Sequence, residues 1–149
     1  APNGSRISIR SDADSLDVFE AYTVRHDGKQ LTKISAPLVS GGTVGIVHWA
    51  QKGPWLAYQA DGDTAGLNEL WVCRYDGTKR VKVSGPQVAG GGVFTSYWPR
   101  TGNRILYTAD QQTVGVREIY TSKLDGTGNV KVSGSMVAGS TGLHFIEVP

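Results

Sequence analysis

Apolar and polar positions alternate in short runs along this chain. No stretch of about ten or more residues keeps the 3.6-residue spacing of a helix. Val130-Lys131-Val132 is the plainest case, apolar on one side and charged on the other, as a half-buried strand requires. Arg104 to Thr108 is a compact run of β-favouring residues ending at Ala109-Asp110. A polar loop, Gln111 to Gly115, separates it from a second run, Glu118 to Lys123. Asp125-Gly126 then predicts a hairpin turn, because glycine tolerates the positive φ that such turns demand. Gly142 to Val148 is the fourth run.

This order of runs occurs three times. Residues 105–134 read ILYTADQQTVGVREIYTSKLDGTGNVKVSG, residues 56–85 LAYQADGDTAGLNELWVCRYDGTKRVKVSG, and residues 7–36 ISIRSDADSLDVFEAYTVRHDGKQLTKISA. The Asp-Gly pairs begin at 27, 76 and 125, a spacing of 49 residues each time. The same spacing links Asp12, Asp61 and Asp110; Glu20, Glu69 and Glu118; Lys33, Lys82 and Lys131; and Ser35, Ser84 and Ser133. In the earlier copies the fourth run is Gly45 to Trp49 and Val93 to Trp98. Each leads into a turn, Gln51-Lys52-Gly53 or Arg100-Thr101-Gly102. Pro2-Asn3-Gly4 is that turn without its strand, while the third copy of the strand, His144 to Val148, stands at the other end. The expectation is a first repeat one strand short and a last repeat with one to spare.

Four short strands per unit, at a fixed period of roughly 40 to 50 residues, predict an all-β protein of propeller blades. The blades divide at about 5–53, 54–102 and 103–149. A β-trefoil is the alternative, since it too has three similar units. Lys33, Lys82 and Lys131 fall in the expected outermost strand, where charge discourages edge-to-edge pairing.

Four motifs carry a family resemblance: Arg-Ile-Leu-Tyr-Thr-Ala-Asp at 104–110, Glu-Ile-Tyr at 118–120, Leu-Asp-Gly at 124–126 and Lys-Val-Ser-Gly at 131–134. Together they resemble blades of the TolB-like (WD40-like) β-propeller family, and Pro2-Asn3-Gly4-Ser5-Arg6 resembles that family's Ser-Pro-Asp-Gly turn. The likeness runs over essentially the whole chain. It departs at Gln51-Lys52-Gly53 and Arg100-Thr101-Gly102, and at Glu147, where the other inner strands have Trp49 and Trp98. The resemblance implies a secreted protein, extracellular or periplasmic, whose propeller serves as a binding scaffold. Such propellers can precede hydrolase domains, and none is expected within these 149 residues.

Closed propellers typically need about four to eight blades, and three in an open arc leave two apolar faces uncovered. Two resolutions follow. The chain is part of a longer polypeptide, or two sets of three blades close a six-bladed ring. In the second, His144 to Val148 completes the first blade of a neighbour. A homo-oligomer joined through blade edges is therefore expected, and a structural subunit of an extracellular or cell-surface assembly is the alternative.

Composition narrows the classes. A net charge of +2, spread through the repeats, gives no electrostatic footprint for nucleic acid. No apolar run approaches the ~18 residues of a membrane span. Cys73 stands alone, so no internal disulfide forms and the compartment stays open.

Three constellations carry candidate chemistry. Asp61, Asp63 and Glu69, in a DxDxxG…E arrangement, are like the oxygen-rich loops that hold Ca²⁺. The competing reading is that the aspartates cap turn amides and the glutamate opens the next strand. Apart from calcium, no cofactor is expected. The aromatic residues recur in phase and read as inter-blade core, except Trp55, which aligns with Arg6 and Arg104 and so is expected to be exposed. His48 and Tyr97 neighbour Trp49 and Trp98 in the innermost strand, where they would face a central channel. Trp55, His48 and Tyr97 are thus the candidate contacts for a sugar or a protein ligand. His26, His48 and His144 share no metal-ligand spacing, and no G-x-S-x-G elbow is present, so the chain is expected not to be an enzyme.

Overall fold

The computed structural model describes residues 1–100 and 103–140, with no helix among them. Three antiparallel sheets form. The first holds β1 (Arg6–Ser11), β2 (Glu20–Arg25) and β3 (Thr32–Lys33). The second holds β4 (Val44–Trp49), β5 (Trp55–Ala60), β6 (Glu69–Arg74) and β7 (Val81–Lys82). The third holds β8 (Val93–Tyr97), β9 (Arg104–Ala109), β10 (Glu118–Lys123) and β11 (Val130–Lys131). Strands pair in chain order within every sheet. The strand that closes one sequence repeat therefore hydrogen-bonds into the sheet of the next, β4 onto β5 and β8 onto β9. Among the described residues nothing pairs with the free edge of β1. The fourth run of the last repeat, Gly142 to Val148, and its segment His144 to Val148 lie outside the described residues.

Local chemistry explains the strand boundaries. Gly28, Gly77 and Gly126 take φ of 78, 76 and 81°, the left-handed conformation the Asp-Gly turns require. The preceding aspartates, Asp27, Asp76 and Asp125, accept the amide two residues on through Oδ1, at 3.1, 3.0 and 2.9 Å.

Two cores separate the sheets. Ala21 and Ile34 of the first sheet bury against Leu56, Tyr58 and Cys73 of the second. Leu70, Val72 and Val83 of the second bury against Ile105, Tyr107 and Tyr120 of the third. The middle sheet is apolar on both faces because successive side chains of β5 and β6 point to opposite sides. Each large side chain so buried stabilises the stack by roughly 1.5–3 kcal/mol. A trefoil would join strands of all three repeats in one barrel; here each sheet stands separately and stacks on the next, as blades do.

Candidate functional site

The acidic positions shared by the three repeats build a brace inside each sheet. Glu20, Glu69 and Glu118 open β2, β6 and β10 and are buried. Each meets the lysine of the outermost strand: Lys33 on Glu20, Lys82 on Glu69 at 3.1 Å, and Lys131 on Glu118 at 2.8 Å. The lysines that guard the edge therefore also neutralise a buried carboxylate. Burial works against the charge of Lys82, but hydrogen bonds to Asp63 and Glu69 outweigh it and raise its pKa. Tyr22 and Tyr120 donate to Glu20 and Glu118 at 3.2 and 2.7 Å. Trp71 replaces the tyrosine in the second sheet, and there Glu69 instead accepts the amides of Gly62 and Asp63 at 3.1 and 2.7 Å.

This places Asp61, Asp63 and Glu69. Asp63 and Glu69 hold the ammonium of Lys82 between them. Asp61 points elsewhere, its Oδ2 accepting the amide of Gly66 at 3.2 Å. In the third repeat Asp110 accepts the amides of Gly92 and Gly115 at 2.6 and 3.0 Å. Among the described residues no group of three or more His, Cys, Asp or Glu side chains converges as a metal site.

The aromatic candidates fall in two places. His48 lies on β4, and its Nε2 is 2.7 Å from the Ser96 hydroxyl on β8, with the Trp98 ring tilted 59° to it at 6.4 Å. Burial lowers the pKa of His48, favouring the neutral ring. Tyr97 is half-buried on β8, next to Ser96. Trp55 is half-buried rather than exposed, packed with Val81 and Leu124 against the second core. It lines a groove of about 590 Å³ with Lys79, Asn103 and Lys123, and His48 and Tyr97 do not line it. The same phase in the first repeat shows the reason for the packing: Arg6 sits over the Tyr75 ring, 5.0 Å from its centre. Positions 6 and 55 both face the next sheet across the seam.

The seams show what joins one sheet to its neighbour. The Tyr58 hydroxyl accepts the Ala36 amide at 3.0 Å, and in the same phase Tyr107 accepts the Gly85 amide at 3.1 Å. Arg80 donates to the carbonyls of Ile34 and Lys33 in the preceding sheet, both at 2.9 Å. Asn129, in its phase, reaches the Val83 carbonyl at 3.4 Å.

The two outer flanks are the uncovered faces expected of three blades in an open arc, and the structure places particular residues on them. Leu56 and Ile105 are wholly buried, yet Ile7, in the same phase, is 51% exposed. Ile34 and Val83 are 0% and 1% exposed, yet Val132 is 53% exposed. Among the described residues, each outer flank thus carries the side chains of a seam without the opposite half. The 49-residue phase is the signal that finds them.

No family model matches the sequence, and no curated protein matches it. The solved structure of a putative TolB from Agrobacterium tumefaciens is similar, with a TM-score of 0.62 and 15% sequence identity over 88% of this chain. That match covers 46% of the other chain, so this chain spans about half its length. At such identity the likeness is one of fold: three antiparallel sheets stacked in the TolB-like, β-propeller manner.

Proposed function

We propose that the chain is a non-catalytic β-propeller scaffold for protein interaction, three blades of a ring that self-association or a larger assembly completes. The pair of apolar flanks at Ile7 and Val132 carries this reading, since each is half of a blade seam. The half-length match to a larger fold of the same kind supports it. The non-catalytic part rests on how the reactive side chains are engaged. His48 is engaged by the Ser96 hydroxyl at 2.7 Å and its pKa is lowered by burial, and the Cys73 thiol is pushed up to about 12 by burial. Within the scaffold, His48 and Tyr97 on the inner strands and Trp55 in the seam groove are the proposed ligand contacts. An extracellular or periplasmic setting belongs to the same proposal; no described helix is long and apolar enough to cross a membrane.

Sedimentation of this chain over a range of concentrations tests the reading. A mass near 31.8 kDa, twice 15.9 kDa, is the expected result. Species that keep growing with concentration favour a structural, polymerising subunit. A compact monomer of 15.9 kDa at every concentration removes self-association.

A further inference from the structure

We infer that the occupant of both open flanks is a second copy of this chain, held by one specific seam. In that seam Ile7, Gly28 and Leu31 of one copy pack on Val130, Val132 and Gly134 of the other. This rests on the scaffold reading and names its partner and contact.

The repeat serves as a ruler. The described residues hold two complete seams and, on their flanks, both halves of a third. In the first seam Ile34 shares a core with Leu56, and in the second Val83 shares one with Ile105. One period further the pair is Val132 with Ile7 of another copy, each about half exposed.

The hairpin glycines agree. A Cβ on Gly77 would lie 2.7 Å from the Lys33 carbonyl oxygen of the preceding sheet. A Cβ on Gly126 would lie 2.9 Å from both the Lys82 carbonyl oxygen and Val81 Cγ1. Gly28, in the same phase, has nothing within 4 Å, and its missing neighbours by phase are Lys131 and the exposed Val130. At the other half of the seam, a Cβ on Gly85 would meet Asn129 Oδ1 at 2.7 Å, whereas Gly134 faces nothing within 4 Å.

Two substitutions suit the third seam to its own copy. Where Arg80 and Asn129 reach back over the preceding sheet, the first repeat has Leu31, 55% exposed, which would lie toward the exposed Val132. Where Tyr58 and Tyr107 take an amide, it has Ile9. The third seam is therefore more apolar than the two inside the chain, as the interface between copies of a permanent oligomer tends to be.

A contact of the third sheet on the first is head-to-tail, and such contacts either close a ring or run on as a filament. Rings built from this unit have blades in multiples of three. Six is the multiple that lies within the usual range of about four to eight. Two copies, with two equivalent seams, close it.

The test uses Ile7→Lys and Val132→Glu, both at positions exposed in the single chain, with far-UV circular dichroism to confirm the fold. Each variant alone should sediment as a monomer where the unaltered chain is a dimer. The dissociation constant should rise about a hundredfold or more, because each seam then buries an unpaired charge. Mixing the two variants should restore the dimer, since the mixed ring has one unaltered seam and one in which lysine meets glutamate. If either variant alone stays as dimeric as the unaltered chain, or if mixing restores nothing, the seam is wrong. A monomeric unaltered chain would instead overturn the self-associating scaffold itself.

Discussion

Ile105→Ala and Ile7→Ala are the same chemical change at the same phase of the repeat, and the structure gives them different costs. Each removes three carbons, worth about 0.8 kcal/mol apiece when fully buried, or about 2.4 kcal/mol together. Ile105 is wholly buried in the second core, so a cavity term adds to this, and the expected loss is about 3–4 kcal/mol. Ile7 is 51% exposed and leaves no closed cavity, so the expected loss is about 1 kcal/mol in the dilute single chain. Urea unfolding followed by tryptophan fluorescence reads both, at a protein concentration below that of association. The slope against urea should stay the same, so that the midpoint alone reports stability. In a thermal scan the difference corresponds to several degrees for a chain of this size. As protein concentration rises and the flank is covered, the cost of Ile7→Ala should approach that of Ile105→Ala. Equal costs in the dilute chain would refute the argument, because they would mean that Ile7 is already covered.

Three further outcomes are expected. Tyr58→Phe should cost about 1–2 kcal/mol in urea unfolding, because the Ala36 amide loses its 3.0 Å acceptor while the ring stack on Trp71 remains. Burial pushes the Glu118 carboxyl up, but hydrogen bonds from Lys131 and Tyr120 outweigh it and hold its pKa below the ordinary 4.5. Because the folded value lies below the unfolded one, this stabilisation is complete above the unfolded pKa and is lost as pH falls through the folded one. The stability gap between the unaltered chain and Glu118→Gln should accordingly be widest near neutral pH and shrink below about pH 4. Cys73, wholly buried and with its thiol pushed up to about 12, should react with an aromatic disulfide reagent only as the chain unfolds. Rapid labelling of the native protein would contradict that placement.

Much of the fold is legible in the chain, because period, turn and strand signals all repeat at 49 residues. Val130-Lys131 and Glu118–Lys123 fall where alternation and the Asp-Gly turns put them. The partners of recurring residues are less legible. Glu69 and Lys82 recur in their columns, but nothing linear shows that the lysine reaches across the sheet to the carboxylate. Trp55 is out of phase with other aromatic residues, which predicted exposure. The column is defined by facing the next sheet, however, and Arg6 meets that need over the Tyr75 ring while Trp55 does so by packing against the second core. The open flanks follow from the blade count, but the residues that form them do not stand out in the sequence. Val132 looks like Ile34 and Val83, and what distinguishes it is the lack of a following sheet among the described residues.

The most direct measurement is a covalent trap of the proposed seam. Ile7→Cys and Val132→Cys are placed in one chain and treated with a short bis-maleimide, with Cys73 out of reach in its core. The two positions lie on opposite flanks of the three-sheet stack, so a link between them joins separate copies. Closure predicts products that stop at 31.8 kDa, twice the 15.9 kDa chain. A ladder of longer products would contradict the ring, and the absence of any linked product would contradict the seam.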